Sequence, residues 1–310
     1  MIYVKLFLTA LLWGGTFIAG RAIADAGSPL TLSFARFAIA SIFLLVITKK
    51  VEGSLPAVKR DQIVPLLLLG ATGVFFYNIL FFYALSYIQA GKASLIIANN
   101  PILISLLSAL IFKERLDFVK CIGILLSVAG AVIVISDGHV MDLIGTGLGK
   151  GEILTFGCVI SWVAYSLIGK QIMGGLSPLL SVCYSSVAGT VMLFFPAVIS
   201  GTFSDIFSYS AVTWLNLFYL AFFGTVVGFL WYYEGIKSIG AAKSSVFINF
   251  VPVSAIIFAY FMLNEPIGKS LLIGAALVIS GVFFTNASSL IFNNGFTAKT
   301  RNLLNFAKKI

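Results

Sequence analysis

The sequence predicts an all-α integral membrane protein with ten transmembrane helices arranged as a 5+5 inverted-topology repeat. Three observations lead to this prediction: a hydrophobic composition, the number of apolar segments, and an internal similarity between the two halves of the chain. Of the 310 residues, 60% are hydrophobic and 10% are charged, and the mean hydropathy is +1.06. Because a soluble domain carries roughly 25% charged residues, this chain has too little polar surface to cover a soluble core.

The apolar segments have the length of membrane-spanning helices. About 20 apolar residues cross the ~30 Å hydrocarbon core, whereas barrel strands need only ~10 alternating residues. The first segment carries Trp13, and no convincing small-residue cleavage site follows it, so we expect a retained helix rather than a signal peptide. The predicted spans are 3–22, 30–48, 63–85, 92–112, 118–136, 149–169, 178–200, 212–234, 243–263 and 269–287.

The basic residues predict an orientation with both termini in the cytoplasm. In that orientation 15 of the 20 Lys and Arg residues lie inside, as the positive-inside rule requires. Arg36 falls within a span, and the four external ones are Arg21, Lys92, Lys150 and Lys269. Membrane topology therefore explains the net charge of +9. We predict a multi-pass protein of the inner (plasma) membrane and no nucleic-acid partner.

The two halves of the chain resemble each other at a nearly constant offset. Five spans per half is an odd number, so the second half enters the membrane from the opposite side. Inverted repeats of this kind are common in secondary transporters. The predicted units are a first five-helix repeat at 1–137, a second at 149–287 and a basic cytoplasmic tail at 288–310. The aligned pairs include Trp13 and Trp162, Pro29 and Pro178, Lys92 and Lys243, Pro101 and Pro252, and Glu114 and Glu265.

These repeated segments resemble the drug/metabolite transporter superfamily, specifically proteins with two EamA-type domains. The resemblance rests on "LLWGGTFIAGR" at 11–21, on "PLTLSFAR" at 29–36, and on the unit that begins "PILISLLSALIFKERLDF" at 101 with its counterpart that begins "PVSAIIFAYFMLNEPIGK" at 252. It extends to about residue 287. It implies a transporter with a central cavity lined chiefly by spans one, three, four, six, eight and nine. The second half does not repeat Arg36, since the aligned residue is Ser185.

Prolines and asparagines interrupt predicted spans four and nine. Pro101 and Pro252 each remove a backbone N–H and free a carbonyl four residues earlier. Such helix kinks at membrane depth are tolerated where protein or a water-filled cavity satisfies the freed groups. We interpret Asn99, Asn100 and Asn249, which lie beside the kinks, as substrate-binding residues. The alternative is that they hydrogen-bond neighbouring helices and hold the bundle together.

Aromatic residues with polar neighbours recur on the spans that line the cavity in the resembled family. An aromatic cavity with few charges suits amphipathic organic solutes, which bind through stacking, cation–π contacts and a few hydrogen bonds. The alternative for each aromatic residue is a lipid-facing or interfacial position. The predicted substrate-binding residues on these spans are Trp13, Thr16, Tyr77, Asn78, Trp162, Tyr165 and Trp231.

Three charged residues are candidates for gating. Arg36 lies well inside a span, where a charge is costly and is a functional candidate by default. It could contact substrate, extend to the outer headgroups, or have the structural or gating role implied by the frequent arginine in this family segment. Glu114 and Glu265 end spans four and nine at opposite membrane faces. They are either gates or proton sites, or charged helix ends that anchor the hairpin to the next span.

The sequence predicts no enzyme activity, no metal site and no cofactor. The spacing of Cys121, Cys158 and Cys183 indicates neither a disulfide nor a metal site. The segment "GTGLGKGE" at 145–152 departs from the Walker phosphate loop at positions 144 and 151. We therefore expect transport to be driven by a gradient rather than by ATP hydrolysis in this chain.

Together these observations predict a secondary active transporter that moves a small organic solute across the inner membrane by alternating access. Amino acids, amines, related metabolites and drugs are the expected solutes, and the resemblance favours efflux. The first alternative is facilitated diffusion or exchange, including uptake, and the second is a non-transporting scaffold or sensor. The expected partners are the solute and the lipid bilayer. Protons are a candidate coupling ion, and both a monomer and a homodimer remain open.

Overall fold

The regular structure of the described residues is entirely helical. The computed structural model describes residues 1–100, 102–104, 106–107, 118–139, 148–172, 175–239, 244, 246–281 and 283–284. The helices are α1 (Ile2–Ile23), α2 (Pro29–Val51), α3 (Arg60–Tyr87), α4 (Ala90–Ile97), α5 (Phe118–Ile135), α6 (Lys150–Ile172), α7 (Pro178–Ile199), α8 (Ala211–Ile239), α9 (Phe250–Leu263) and α10 (Lys269–Gly281). Two 3₁₀ segments, Thr202–Ser208 and Val246–Asn249, precede α8 and α9.

Six of these helices are long and apolar enough to cross a membrane: α1, α2, α3, α6, α7 and α8. Shorter apolar stretches lie at Cys121–Ile135, Phe247–Leu263 and Lys269–Gly281. Large apolar side chains cover the outer surface, for example Phe261, which is 75% exposed, and Leu125 and Leu215. An apolar exterior of this extent is typical of a surface that faces lipid.

Proline fixes the starts of two of the long helices. Pro29 and Pro178 occupy the first turns of α2 and α7, and each follows a serine in extended conformation. The ring of proline presets the helical φ, and the N–H that it lacks has no partner in a first turn anyway. Ser177 also caps α7, since its Oγ accepts a hydrogen bond from Leu180 N at 3.2 Å.

The predicted fourth and ninth spans are interrupted rather than continuous. After α4 the chain makes a turn at Ala98–Asn99, and helix resumes at Asn100. In the other half, Val246–Asn249 is 3₁₀ and Pro252 lies in the first turn of α9. Pro101, Glu114 and the predicted tail at 288–310 lie outside the described residues.

Two long helices contain a π-helical segment near the middle. The segments are Gly70–Phe76 in α3 and Leu220–Val227 in α8, and an offset of 151 residues places the first on 221–227. Wider π turns leave backbone groups without their usual helical partners. Side chains supply replacements: Asn78 Nδ2 donates to carbonyls four and five residues earlier (2.8 and 3.3 Å), and Thr225 Oγ1 donates to one five residues earlier (3.1 Å).

The helices pack crosswise between the two halves of the chain. Helix α1 packs against α8 and α9, whereas α6 packs against α3 and α4. Helix α2 lies along α7. The first helix of each predicted repeat therefore contacts the third and fourth helices of the other repeat, so that the centre of the bundle is built from both.

Glycines allow α5 and α10 to touch through their backbones. A Cβ on Gly130 would lie 2.7 Å from the Gly274 carbonyl oxygen, and one on Gly274 would lie 2.8 Å from that of Gly130. Gly281 makes the corresponding approach to Gly123. No side chain fits at these distances, so small residues are required where the two helices cross.

Candidate functional site

A small cavity lies where the crossed helices of both halves meet. Its volume is about 50 Å³, which accommodates only a few water molecules. In this conformation the cavity is therefore smaller than an organic solute. Its wall consists of Trp13, Thr16, Phe17, Arg36, Tyr77, Phe81, Ile97, Asn100, Trp162, Phe229, Ile248 and Val251.

An aromatic cluster forms one side of the cavity. The rings of Trp13 and Trp162 meet edge to face, with centroids 5.5 Å apart and planes at 86°. Phe229 packs against both tryptophans, with centroid distances of 6.0 and 5.4 Å, and Tyr77 lies 5.4 Å from Trp162. Edge-to-face contacts at these distances are favourable beyond their burial alone, so the cluster is a rigid wall.

The two tryptophans use their indole N–H groups differently. Trp13 Nε1 donates to the carbonyl of Gly224 at 2.9 Å, in the π segment of α8. Trp162 Nε1 is buried and has no hydrogen-bond partner among the described residues. An unpaired buried donor is costly, so the Trp162 N–H is available to a group that enters the cavity.

Arg36 brings a positive charge into the same wall. The side chain is 4% exposed. Its Nη1 donates to Asn78 Oδ1 at 2.8 Å, and its Nε and Nη2 both approach Thr225 Oγ1, at 3.3 and 3.2 Å. The guanidinium also lies 5.2 Å from the ring of Phe37. Arg36 is therefore held in place by neutral acceptors. Two of its three contacts are made to the one hydroxyl of Thr225.

No acidic residue in the described part of the chain forms an ion pair with Arg36. The ion pairs found there join Lys5, Arg21 and Lys92 to their partners, all near helix ends. A buried charge without a counter-ion is strongly disfavoured in a low-dielectric interior. The cavity therefore presents an uncompensated positive charge.

The predicted asparagines have different surroundings. Asn99 lies in the turn after α4, where its Oδ1 accepts from Ser127 Oγ of α5 at 2.6 Å, the arrangement of a helix-packing residue. Asn78 supports Arg36 from behind the cavity wall. Asn100 lies on the wall, 2% exposed, and its Oδ1 has no partner among the described residues. The buried Oδ1 of Asn249 is likewise unpaired within that part of the chain.

Acidic and basic groups cluster at one end of the bundle. Lys92 of α4 pairs with Glu152 of α6, with Nζ and Oε1 3.0 Å apart, and lies 3.6 Å from Asp137. Glu265, just after α9, accepts the backbone N–H groups of Ala90 and Gly91 at 3.0 and 3.3 Å. Its carboxylate thus caps the N-terminus of α4. Together these contacts tie α4, α6 and α9 below a vestibule of about 720 Å³.

At the opposite end of the bundle, an ion pair joins α1 to α8. Lys5 Nζ lies 2.7 Å from Glu234 Oε2 of α8, and 6.0 Å from the ring of Trp231. Trp231 therefore lies near this helix end and does not line the cavity, whereas its neighbour Tyr232 packs against Trp13 at 5.2 Å. Contacts between the two halves of the chain are therefore found at both ends of the bundle.

The structure places six of the predicted residues on the cavity wall: Trp13, Thr16, Arg36, Tyr77, Asn100 and Trp162. Tyr165 is buried against Phe229 behind the wall, with ring centroids 5.9 Å apart. Sequence reasoning did not single out Phe17, Phe81, Phe229 or Thr225. The aligned Gly73 and Gly224 mark the two π segments and were the available signal for Thr225; no comparable signal distinguishes the three phenylalanines from the other aromatic residues.

The fold and the site define a class: a multi-pass integral membrane protein built around an interior, partly polar cavity. The chain belongs to the EamA-like transporter family, which matches residues 1–136 and 149–287. It is a transporter of the drug/metabolite transporter superfamily and not an enzyme. Membership of this family implies a small-molecule solute and contact with membrane lipid.

Similar proteins support this assignment over nearly the whole chain. An uncharacterized transporter, YyaM of Bacillus subtilis (strain 168), is 31% identical over 91% of this chain and 92% of its own length. A probable terminal-alkyne amino-acid exporter of Streptantibioticus cattleyicolor is 28% identical over 92% of this chain and 93% of its own length. One solved crystal structure matches 91% of this chain and 94% of its own, with a TM-score of 0.66 and 20% identity, a likeness of fold alone.

Proposed function

We propose that this protein is a secondary transporter that exports a small organic solute by alternating access. The observation that carries the proposal is the interior cavity, whose wall combines residues of both family-matching segments. Such a cavity lies between two ends that are each held by ion pairs or a helix cap. Opening one end while the other stays closed would move a solute across the membrane without a continuous pore.

The proposed architecture is ten spans in two inverted repeats, with residues 1–137 and 149–287 as the repeats. The crosswise packing of α1 and α6 supports it, because exchange of the two repeats leaves that pattern unchanged. The glycine contacts support it too. Gly123 aligns with Gly274 and Gly130 with Gly281, so exchange of the two repeats turns one glycine contact into the other. Inverted repeats of this kind have two nearly equivalent packings that face opposite sides.

The proposed orientation has both termini in the cytoplasm of the cell. Lys5 and Glu234 then form the inner closure, whereas Lys92, Glu152 and Glu265 form the outer one. Charged residues at the helix ends and an apolar lipid-facing surface suit this arrangement. The basic distribution over the whole chain supports the same orientation.

The proposed solutes are amino acids and related metabolites, and the proposed direction is export. Support comes from the relative that is named a probable terminal-alkyne amino-acid exporter. The aromatic wall suits an apolar side chain, and the polar atoms of the wall suit a charged or hydrogen-bonding group. The described wall carries no carboxylate. That observation favours a second candidate, facilitated diffusion or exchange, over a proton-coupled cycle.

The test is flux through the purified protein in liposomes. A thermal-shift screen against amino acids, amines and related metabolites first identifies a stabilising solute, because a ligand stabilises the folded state that binds it. We then expect Asn100→Ala or Trp162→Ala to abolish flux of that solute without loss of folded protein. The matched controls are Asn216→Ala and Trp214→Ala, which alter the same residue types away from the cavity. Unchanged flux in both cavity variants would contradict the site.

A further inference from the structure

We infer that the cavity binds the carboxylate of a zwitterionic amino acid between Arg36 and Trp162, with Asn100 accepting from the adjacent amine. This inference rests on the proposed transport function and names its substrate class. It separates amino acids from the amines and cationic drugs that a wholly aromatic cavity would also accept.

The Arg36 guanidinium has a charge and hydrogen-bond donors that the described residues do not fully satisfy. A guanidinium has five N–H donors, and the described residues supply three contacts, from Asn78 and Thr225. Both acceptors, Asn78 Oδ1 and Thr225 Oγ1, are neutral, so they orient the group but do not compensate its charge. Planar guanidinium groups bind carboxylates through two parallel hydrogen bonds, and two of the N–H groups have no acceptor within the described residues.

The same wall carries a pair of polar atoms that the described residues leave unsatisfied. Trp162 Nε1 is a donor without an acceptor, and Asn100 Oδ1 is an acceptor without a donor, among the residues described. Both side chains are more than nine-tenths buried. Buried polar atoms are normally paired, so these two are expected to find their partners in what enters the cavity.

A zwitterionic amino acid satisfies all three groups at once. A carboxylate accepts from Arg36 and Trp162, and an ammonium group beside it donates to Asn100. The rings of Tyr77 and Trp13 add cation–π attraction for that ammonium. The remaining wall, with Phe17 and Phe229, suits an apolar side chain. An amine without a carboxylate would meet the Arg36 charge without compensation.

The cavity of about 50 Å³ is too small for an amino acid. Beside Arg36 the residues of the wall already pack tightly against one another. A Cβ on Gly224 would lie 3.6 Å from Arg36 Nη2 and 2.6 Å from Thr16 Cγ2. Binding therefore requires the helices around the cavity to separate.

The experiment compares three matched probes on the purified full-length protein in detergent: L-norleucine, L-norleucinamide and pentylamine. L-norleucinamide carries a neutral amide in place of the carboxylate, and pentylamine carries neither group. We expect L-norleucine to bind about tenfold or more tightly than the other two, because hydrogen bonds between charged groups are the stronger class. Thermal stabilisation as a function of probe concentration gives the three dissociation constants.

Variants then assign the preference to residues. Arg36→Gln should remove the preference for L-norleucine over its amide, and Arg36→Lys should retain much of it because the charge remains. Trp162→Phe keeps the ring but lacks the N–H, so it should reduce the preference by a smaller factor. Trp214→Phe is the matched control and should leave all three constants unchanged. If Arg36→Gln does not fold, the Lys and Trp162→Phe variants still decide the question.

The outcomes separate this inference from the proposed transport function. Equal binding of the acid and the amide overturns the inference, as does an unchanged preference in Arg36→Gln or in Trp162→Phe. Flux of some other solute, with no binding of L-norleucine, also overturns it but leaves the transporter assignment intact. Absence of flux for every solute of the screen contradicts the transport function instead.

Discussion

Trp13 and Trp162 occupy aligned positions of the two halves, touch edge to face at 5.5 Å, and yet differ in hydrogen bonding. The Trp13 indole N–H is bound to the Gly224 carbonyl, whereas that of Trp162 has no partner among the described residues. One tryptophan therefore fixes the π segment of α8, and the other leaves a buried indole N–H without a partner among the described residues, in the wall of the cavity.

This difference predicts unequal effects on stability. Trp13→Phe removes the hydrogen bond to the Gly224 carbonyl and should lower the free energy of unfolding by about 0.5–1.5 kcal/mol beyond the lost packing. Trp162→Phe removes a donor that is already unpaired, so its loss should be smaller. Thermal unfolding of both variants in the same detergent measures the difference. Equal destabilisation would contradict the distinct roles.

The close contact between Thr16 and Gly224 predicts a rescue. Gly224→Ala places a Cβ 2.6 Å from Thr16 Cγ2, and overpacking of this kind costs about 1–3 kcal/mol. Thr16→Ser removes Cγ2 but keeps the hydroxyl, which donates to Trp13 O at 2.6 Å. We expect the double variant to recover most of the stability lost in Gly224→Ala. A double-mutant cycle measures this coupling, and purely additive effects would rule out the contact as the cause.

The ion pair of Lys92 and Glu152 predicts a change in access from one end of the bundle. Glu152→Gln weakens the pair, so the cavity should open more often toward the vestibule. Ser94 of α4 lies two residues after Lys92 and is buried. In a cysteine-free background, Ser94→Cys should react faster with a soluble maleimide once Glu152 is replaced. Glu234→Gln at the other end is the control and should not accelerate this reaction. If Ser94→Cys is labelled at the same rate alone, with Glu152→Gln and with Glu234→Gln, the pair of Lys92 and Glu152 does not restrict access to the cavity.

The proposed orientation predicts which loops face the outside of the cell. In the same cysteine-free background, Asp137→Cys should react with a membrane-impermeant thiol reagent in intact cells. Asp61→Cys, at the start of α3, should react only after the cells are opened. Both residues are exposed and described, so each cysteine is accessible on its own side. The reverse pattern would invert the orientation.

Helix starts and several cavity residues could be predicted from the sequence because they depend on local chemistry. Pro29 and Pro178 mark the starts of α2 and α7, and the aligned tryptophans meet on the cavity wall. The aligned glycines mark where the π segments lie, but the hydrogen bonds made there could not be predicted, since partners such as Trp13 lie far away in sequence, 211 residues from Gly224.

The side of a helix on which a given aromatic residue lies also could not be predicted from the sequence. Trp231 was predicted to bind substrate, but the structure places it near Lys5, and Tyr232 contacts the cluster instead. One residue along a helix turns a side chain by about 100°, and the composition of α8 is aromatic on several faces. Likewise, the acceptor that Thr225 offers Arg36 is 189 residues away, beyond any local pattern.

The crossing of α5 and α10 at Gly130 and Gly274 also sets the order in which the protein is assembled during synthesis. Gly274 leaves the ribosome 144 residues after Gly130, a delay of about 7–30 s at ordinary elongation rates. Throughout that time the glycine face of α5 has only lipid or insertion machinery to cover it. The same delay applies to α1, which waits for α8 and α9, so the bundle reaches its final packing only late in translation.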